Sequence, residues 1–280
     1  MDIEIRPVRP EEMDFLIDLA AAEGWNPGLQ DGAAFYGTDP AGFLVAEKNG
    51  EKIGCISGVS YGGVYGFLGF FIVLPEYRAQ GVGHDMWAAV ERRLEGHVNG
   101  MDGVVAQQEN YRSAGYVKYH RSVRYKNVTG GERFESPLIA PASSVDFTDI
   151  LAYDKRAFGV ERAAFLRGWL AMDNAIAQVI VDEGRIRAFG CIRECRVGWK
   201  IGPLFADNLE YADIMYRSLC SRIEPGSEVF LDVPETNAAA MQLAQHYAMD
   251  SVFETARMYN KEPLPTENNL IFGITSFELG

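Results

Sequence analysis

Read for its alternation of apolar and polar positions, the chain has one stretch where the period changes clearly. Gly66-Phe-Leu-Gly-Phe-Phe-Ile-Val-Leu74 is a continuous apolar run of strand length, closed by Pro75, which has no N–H to continue a ladder. Beyond Arg78-Ala-Gln-Gly-Val-Gly83 the period becomes helical. Val82, Met86, Val90 and Leu94 recur every four residues, a stripe suited to the buried face of a helix ending near Gly96. The pattern predicts a buried strand, a glycine loop and a helix.

The flanking patterns extend this unit. Ile3 to Val8 alternates as a strand, and Pro10-Glu-Glu12 opens an amphipathic helix carrying Met13, Leu16, Ile17 and Ala20. A turn, Glu23-Gly-Trp-Asn-Pro-Gly28, leads to a second helix and to the strand Phe43–Glu47. Asn49-Gly50 signals a hairpin returning through Lys52 to Ser60, with another turn at Gly62-Gly63. After the long helix, Asp102–Gln107 reads as a short strand running parallel to the central one. Tyr111 then stands four residues before Gly115-Tyr116, and a strand continues through Tyr125.

Asn127 to Ala142 has a linker's composition. The second half predicts helix over 146–172 with a break near Gly159, and strands over 177–181, 187–192 and 197–205. A helix capped by Asp207, a strand over 228–233, a helix over 237–247 and a strand over 252–259 complete it. This order repeats that of the first half, as in a duplication.

The glycine loop has a chemistry of its own. A helix start leaves N–H groups without partners at the positive end of the peptide dipoles, and Gly81 and Gly83 lack the Cβ that would hold an anion off the backbone. The same glycines would equally serve a tight turn with no ligand. The dinucleotide and P-loop patterns do not fit: no third glycine has their spacing and no Gly-Lys-Ser/Thr follows.

Val73-Leu-Pro-Glu-Tyr-Arg-Ala-Gln-Gly-Val-Gly83 resembles the acyl-CoA loop, Arg/Gln-x-x-Gly-x-Gly/Ala, of the GNAT N-acetyltransferases. The resemblance implies an α+β fold of tandem GNAT-like domains, each a mixed, mostly antiparallel sheet flanked by helices, over residues 1–130 and 131–280. It implies acetyl-CoA as co-substrate, with Phe71, Ile72 and Val73 holding the pantetheine arm. Arg78, Ala79, Gln80, Gly81, Val82, Gly83 and His84 would hold the pyrophosphate. Tyr111 matches the general acid in position, although Val104 stands where the family usually has Asn. Packing under the sheet edge is the other reading of this tyrosine. Trp25 and Asn26 fall in the substrate-facing loop, or in a structural turn with a buried indole. Glu23, Asp31, Asp102 and Glu109 are candidate bases, none of them singled out.

In the second half, Gly202-Pro-Leu-Phe-Ala-Asp207 lacks the phosphate motif, Asp207 would repel a phosphate, and Ala244 takes the tyrosine's place, so no second CoA site is expected there. The net charge of −13 disfavours nucleic acid and anionic membranes as partners. Cys55, Cys191, Cys195 and Cys220 read as buried free thiols, and no metal site is expected. With no signal pattern at Met1–Ile5 and no membrane-length apolar run, a cytoplasmic protein is expected, as monomer or homodimer. The enzyme reading is transfer of an acetyl group to a primary amine of a small molecule or peptide. The alternative is a non-enzymatic acyl-CoA-binding regulatory module.

Overall fold

Among the described residues thirteen strands join into one sheet, because each half of the chain lends a strand to the other. The computed structural model describes residues 3–280. The first half runs β1 (Ile3–Pro7), α1 (Met13–Ala22), α2 (Asp31–Thr38), β2 (Phe43–Lys48), β3 (Glu51–Tyr61), β4 (Tyr65–Val73), α3 (Val82–Arg93), β5 (Val98–Val104), α4 (Gln108–Ser113) and β6 (Val117–Val128). The second half runs β7 (Ile139–Pro141), α5 (Phe147–Phe158), α6 (Ala163–Leu170), β8 (Ala175–Asp182), β9 (Arg185–Glu194) and β10 (Trp199–Ala206). It continues through α7 (Leu209–Cys220), β11 (Glu228–Pro234), α8 (Ala238–His246), β12 (Asp250–Tyr259) and β13 (Ile271–Gly273).

Strand order is β1-β2-β3-β4-β5-β12-β6-β11-β10-β9-β8-β7, with β13 paired to β10. In each half the meander is antiparallel, and one parallel pair, β4 with β5 or β10 with β11, is joined through the crossover helix α3 or α7. At the centre the order of the halves interleaves. β12 lies between β5 and β6, and β6 lies between β12 and β11. Neither half therefore completes its own sheet.

Three apolar cores follow from this layering. The largest gathers α1, α2, α5 and α6 from both halves around Phe35, Phe70, Phe165 and Trp169. One core lies under α7 and α8, and another under α3, where Val82, Met86, Val90 and Leu94 form the buried stripe that the sequence predicts. Buried ion pairs lie in the interior, among them Arg162 with Asp154 at 2.7 Å inside the second half. Arg193 holds Asp31 across the halves at 2.8 Å, and Arg124 holds Asp232 at 2.7 Å.

Several boundaries differ from the sequence reading. The parallel strand starts at Val98, four residues before Asp102, because its Val98–Met101 segment is what pairs with β4. Asn127 and Val128 still belong to β6, and Ile139–Pro141 pairs with β8, so the connecting coil is shorter than the 127–142 linker. Asn208, not Asp207, caps α7 by accepting from the Tyr211 N–H, while Asp207 binds Arg156, Arg187 and the Tyr153 hydroxyl. Cys55, Cys191 and Cys195 are buried, and Cys220 is only partly so.

Candidate active site

β4 and β5 pair from Tyr65–Val98 to Leu68–Met101 and then separate. Opposite the separation, the register of β3 against β4 slips by one between Cys55 and Ser57, with Phe70 at φ 49°. A bulge of this kind bends its strand, and here the bend turns the end of β4 away from β5. Past that point β5 pairs only with β12. The wedge left between β4 and β5 is an open channel, with Phe71, Ile72 and Val73 on one wall and Val104, Ala106 and Gln107 on the other. The Leu74 N–H donates to Ile53 on β3 at 2.9 Å, so strand alternation turns the Val73 N–H toward the channel.

The loop after β4 delivers a row of amides to one mouth. The first helical bond of α3 runs from the Asp85 N–H to the Gly81 carbonyl at 3.1 Å, which leaves the N–H groups from Ala79 to His84 without backbone acceptors among the described residues. Gly81, at φ 89°, needs the left-handed region and faces open space. Ala79 takes the same region at φ 59° despite its Cβ. Ala79, Gly83 and His84 line this mouth with Trp87 and Tyr111. Consecutive free amides at the start of a twelve-residue helix are the donor set that a diphosphate fits.

Side chains in the loop behave differently from its backbone. Arg78 Nε donates to the Val73 carbonyl at 2.8 Å and Nη2 to Glu23 at 2.9 Å, so the guanidinium lies across the channel rather than over the amides. Gln80 turns back to the Glu76 carbonyl, and the Val82 side chain is core, leaving each of them only an N–H at the site.

Tyr111 is buried and borders every part of the channel. Its ring stacks on Trp87 with centroids 5.8 Å apart, and Trp87 contacts Phe71 and Tyr116 in turn. Burial pushes the Tyr111 phenol up to about 12, so it is protonated at neutral pH. Gly103 is the residue that admits this ring, because a Cβ there would stand 2.8 Å from it.

The turn after α1 divides its two candidates. Trp25 lines the channel, with its carbonyl accepting from Arg124 at 2.6 Å. Asn26 does not reach it. Its side-chain amide donates to the Val197 carbonyl and accepts from the Val197 N–H, both at 2.9 Å, tying the turn to the second half. Of the candidate bases, Asp31 is fully buried on Arg193 and the Gly28 N–H, Asp102 holds Arg257, Glu23 holds Arg78, and Glu109 pairs with Arg112 at the surface.

Four residues of the site carry no local signal in the sequence. Trp87 sits one position off the α3 stripe, Gly103 is an unremarkable strand glycine, Phe253 arrives from the second half on the exchanged strand β12, and Phe277 arrives on the segment after β13. In that half, the equivalent opening between β10 and β11 is filled by the chain itself. β13 pairs with β10, and the Ile274 N–H donates to the Asp232 carbonyl. Among the described residues no group of His, Cys, Asp and Glu could hold a metal, and no helix is long and apolar enough to cross a membrane.

A wedge between two parallel strands, with free amides at a helix start beside it, is the geometry of an acyl-CoA-dependent transferase. Two family models match the chain: the acetyltransferase (GNAT) family over residues 11–120 and an acetyltransferase (GNAT) domain over 150–273. The chain belongs to the GNAT acetyltransferases, with two such domains, and is an acyltransferase of that class. It is 27% identical to a holothin acyltransferase of a Pseudoalteromonas strain, over 98% of this chain and 94% of that protein. Its fold is shared with a putative acetyltransferase from Pyrococcus horikoshii (TM-score 0.84, 20% identity, 99% and 96% of the two chains). A tandem GNAT protein from the clavulanic acid biosynthesis pathway also shares it (TM-score 0.62, 12% identity, 92% and 98%).

Proposed function

We propose that the chain transfers an acetyl group from acetyl-CoA to the amine of a small molecule, at a single site in residues 1–130 that residues 131–280 complete. The carrying observation is the continuous path from the free amides of Ala79–His84, along Phe71–Val73, to Tyr111. Acetyl-CoA brings the acyl group as a thioester. The amides hold its diphosphate, and the free edge of β4 pairs with its pantetheine arm. The Val73 N–H polarises the carbonyl. The acceptor nitrogen attacks the carbonyl carbon, the C–N bond forms, the C–S bond breaks, and the leaving thiolate takes the Tyr111 proton. The nitrogen's own proton passes to water. The full-length relative named holothin acyltransferase supports acyl transfer as the reaction class.

Replacing Tyr111 with Phe tests this. The ring and its stack on Trp87 remain, so acetyl-CoA affinity is expected within about twofold of the parent, while kcat falls by about 10²–10³, the span of a lost general acid. Because the phenol lies near 12, the parent enzyme should lose no activity to tyrosine ionisation up to about pH 10. Unchanged turnover in the Phe variant would remove Tyr111 from the chemistry.

A further inference from the structure

Arg78 stands between the two parts of the site. It lines both the mouth with the free amides and the channel beyond, which holds about 440 Å³, within the usual small-molecule range of roughly 300–1,000 Å³. Its Nε donates to the Val73 carbonyl at 2.8 Å and its Nη2 to Glu23 at 2.9 Å, so one guanidinium ties the end of β4 to the turn after α1. Val73 lies on the stretch of β4 that β5 leaves unpaired. The Ile72 carbonyl faces β3, where a Cβ at Gly54 would stand 2.8 Å from it, so the Val73 carbonyl points the other way, into the wedge. A pantetheine arm that pairs with this edge needs the same carbonyl. Arg78 and acetyl-CoA therefore compete for it.

Magnitudes favour the ligand. The Arg78 and Glu23 side chains are 53% and 40% exposed, and an exposed ion pair contributes little and opens readily. A guanidinium on a diphosphate makes charge-assisted bonds, roughly twice as strong as neutral ones, and the free amides begin at the very next residue, Ala79. Once Arg78 turns to them, Glu23 has no other cation in salt-bridge reach among the described residues. It is the one carboxylate that lines this channel; Asp102, further in, stays on Arg257 at 2.7 Å. Trp25 and Phe253 line the same stretch and offer ring faces to an organic cation. Behind Trp25, Lys200 and Arg124 donate to its carbonyl and are faced by Glu278 and Asp232, and none of these four lines the channel.

We propose that the Arg78–Glu23 pair is a latch across the channel: acetyl-CoA opens it by drawing the guanidinium onto its diphosphate, and the freed Glu23 receives the ammonium of the acceptor. Arg78 holds, in this structure, the place that the acceptor's cation takes. This rests on the acetyl-CoA reading above and adds to it an order, acetyl-CoA before acceptor, and a chemical class, an amine carried as its cation at pH 7. Bond changes are those already given. Glu23 binds and orients the cation, whose proton passes to water before the nitrogen attacks.

Calorimetry on the full chain tests both halves of the proposal. Arg78→Met should weaken acetyl-CoA binding about tenfold, the scale of one lost charge-assisted contact. Glu23→Gln should tighten it about two- to fivefold, because an unlatched Arg78 is free for the diphosphate. In the Arg78→Met background the same Glu23 change should do nothing, whereas a plain repulsion between Glu23 and an anionic ligand would persist there. Of spermidine and benzylamine, titrated as cationic probes, the tighter binder should gain about two- to fivefold in affinity when CoA saturates the site. The factor is the same because each ligand must open the same latch. Arg78→Met should give that gain with no CoA present, and Glu23→Gln should abolish it. Acetyl-CoA affinity unmoved by Glu23→Gln, or moved equally in both backgrounds, overturns the latch. Amine binding that is absent, or indifferent to CoA or to Glu23, overturns Glu23 as the acceptor's anchor. Absence of acetyl-CoA binding to the parent overturns the reading beneath both.

Discussion

Tyr111 and His120 are both buried titratable side chains, and burial acts on them in opposite senses. In Tyr111 it holds the proton on, which suits a donor. In His120 it keeps the ring neutral: neither nitrogen has a partner among the described residues, and burial, with Arg257 and Lys118 adding to it, brings the group down to about 3. Below about pH 6.5 the unfolded chain therefore binds a proton that the native chain refuses, and native stability falls as pH drops from 6.5 toward 3. Urea titrations of the parent and of His120→Phe should diverge across that window, by on the order of 3 kcal/mol at pH 4. Parallel pH dependence would mean that His120 is solvated. At this scale, legibility tracks locality. The amides of Ala79–His84 and the Tyr111 position lie in contiguous motifs and could be read from the chain. Asn26 could not be judged so, because its partner, Val197, is 171 residues away.

Among the elements, the last segment has the least sequence signature and two structural consequences. As β13 it occupies the opening between β10 and β11, and beyond Gly273 it places Phe277 beside β4 at the inner end of the channel. Two glycines let it lie so close: Gly69, where a Cβ would stand 2.1 Å from the Glu278 carbonyl oxygen, and Gly202, where one would stand 2.3 Å from the Thr275 carbonyl oxygen. Gly69→Val should cost about 1–3 kcal/mol of overpacking and lower Tm by about 2–10 °C. Turnover should fall more than acetyl-CoA affinity, since the displaced Phe277 lines the channel beside Tyr111 and not the mouth that holds the amides. Gly130→Val, with nothing within 4 Å of its Cβ, is the control expected to shift neither. A Gly69→Val protein matching the parent in both would show that the segment does not bear on the site. Strands, helices and hairpins were legible because their apolar periods are regular. β7, with three residues, and the strand starting at Val98 were not, since their extent is set by pairing partners.

For the whole molecule, the interleaving of β5, β12, β6 and β11 makes the two domains interdependent. A sequence shows duplication through repeated order, but it does not show which copy a strand joins, because β6 and β12 have apolar faces suited to either. Residues 1–137 and 138–280 expressed separately should each aggregate or lack cooperative unfolding, and should recover a shared transition when co-expressed. The Asp31–Arg193 pair and the common core of α2 and α6 would be remade only in the complex. Cooperative folding of either piece alone would argue against exchange. The central claim concerns the amides between Ala79 and His84, and amide hydrogen exchange reads them directly. With saturating acetyl-CoA, the account predicts slowed exchange over Phe71–His84 and none over Gly202–Asp207, where the chain fills its own opening. Unchanged exchange at Ala79–His84, or protection appearing at Gly202–Asp207 instead, would contradict it.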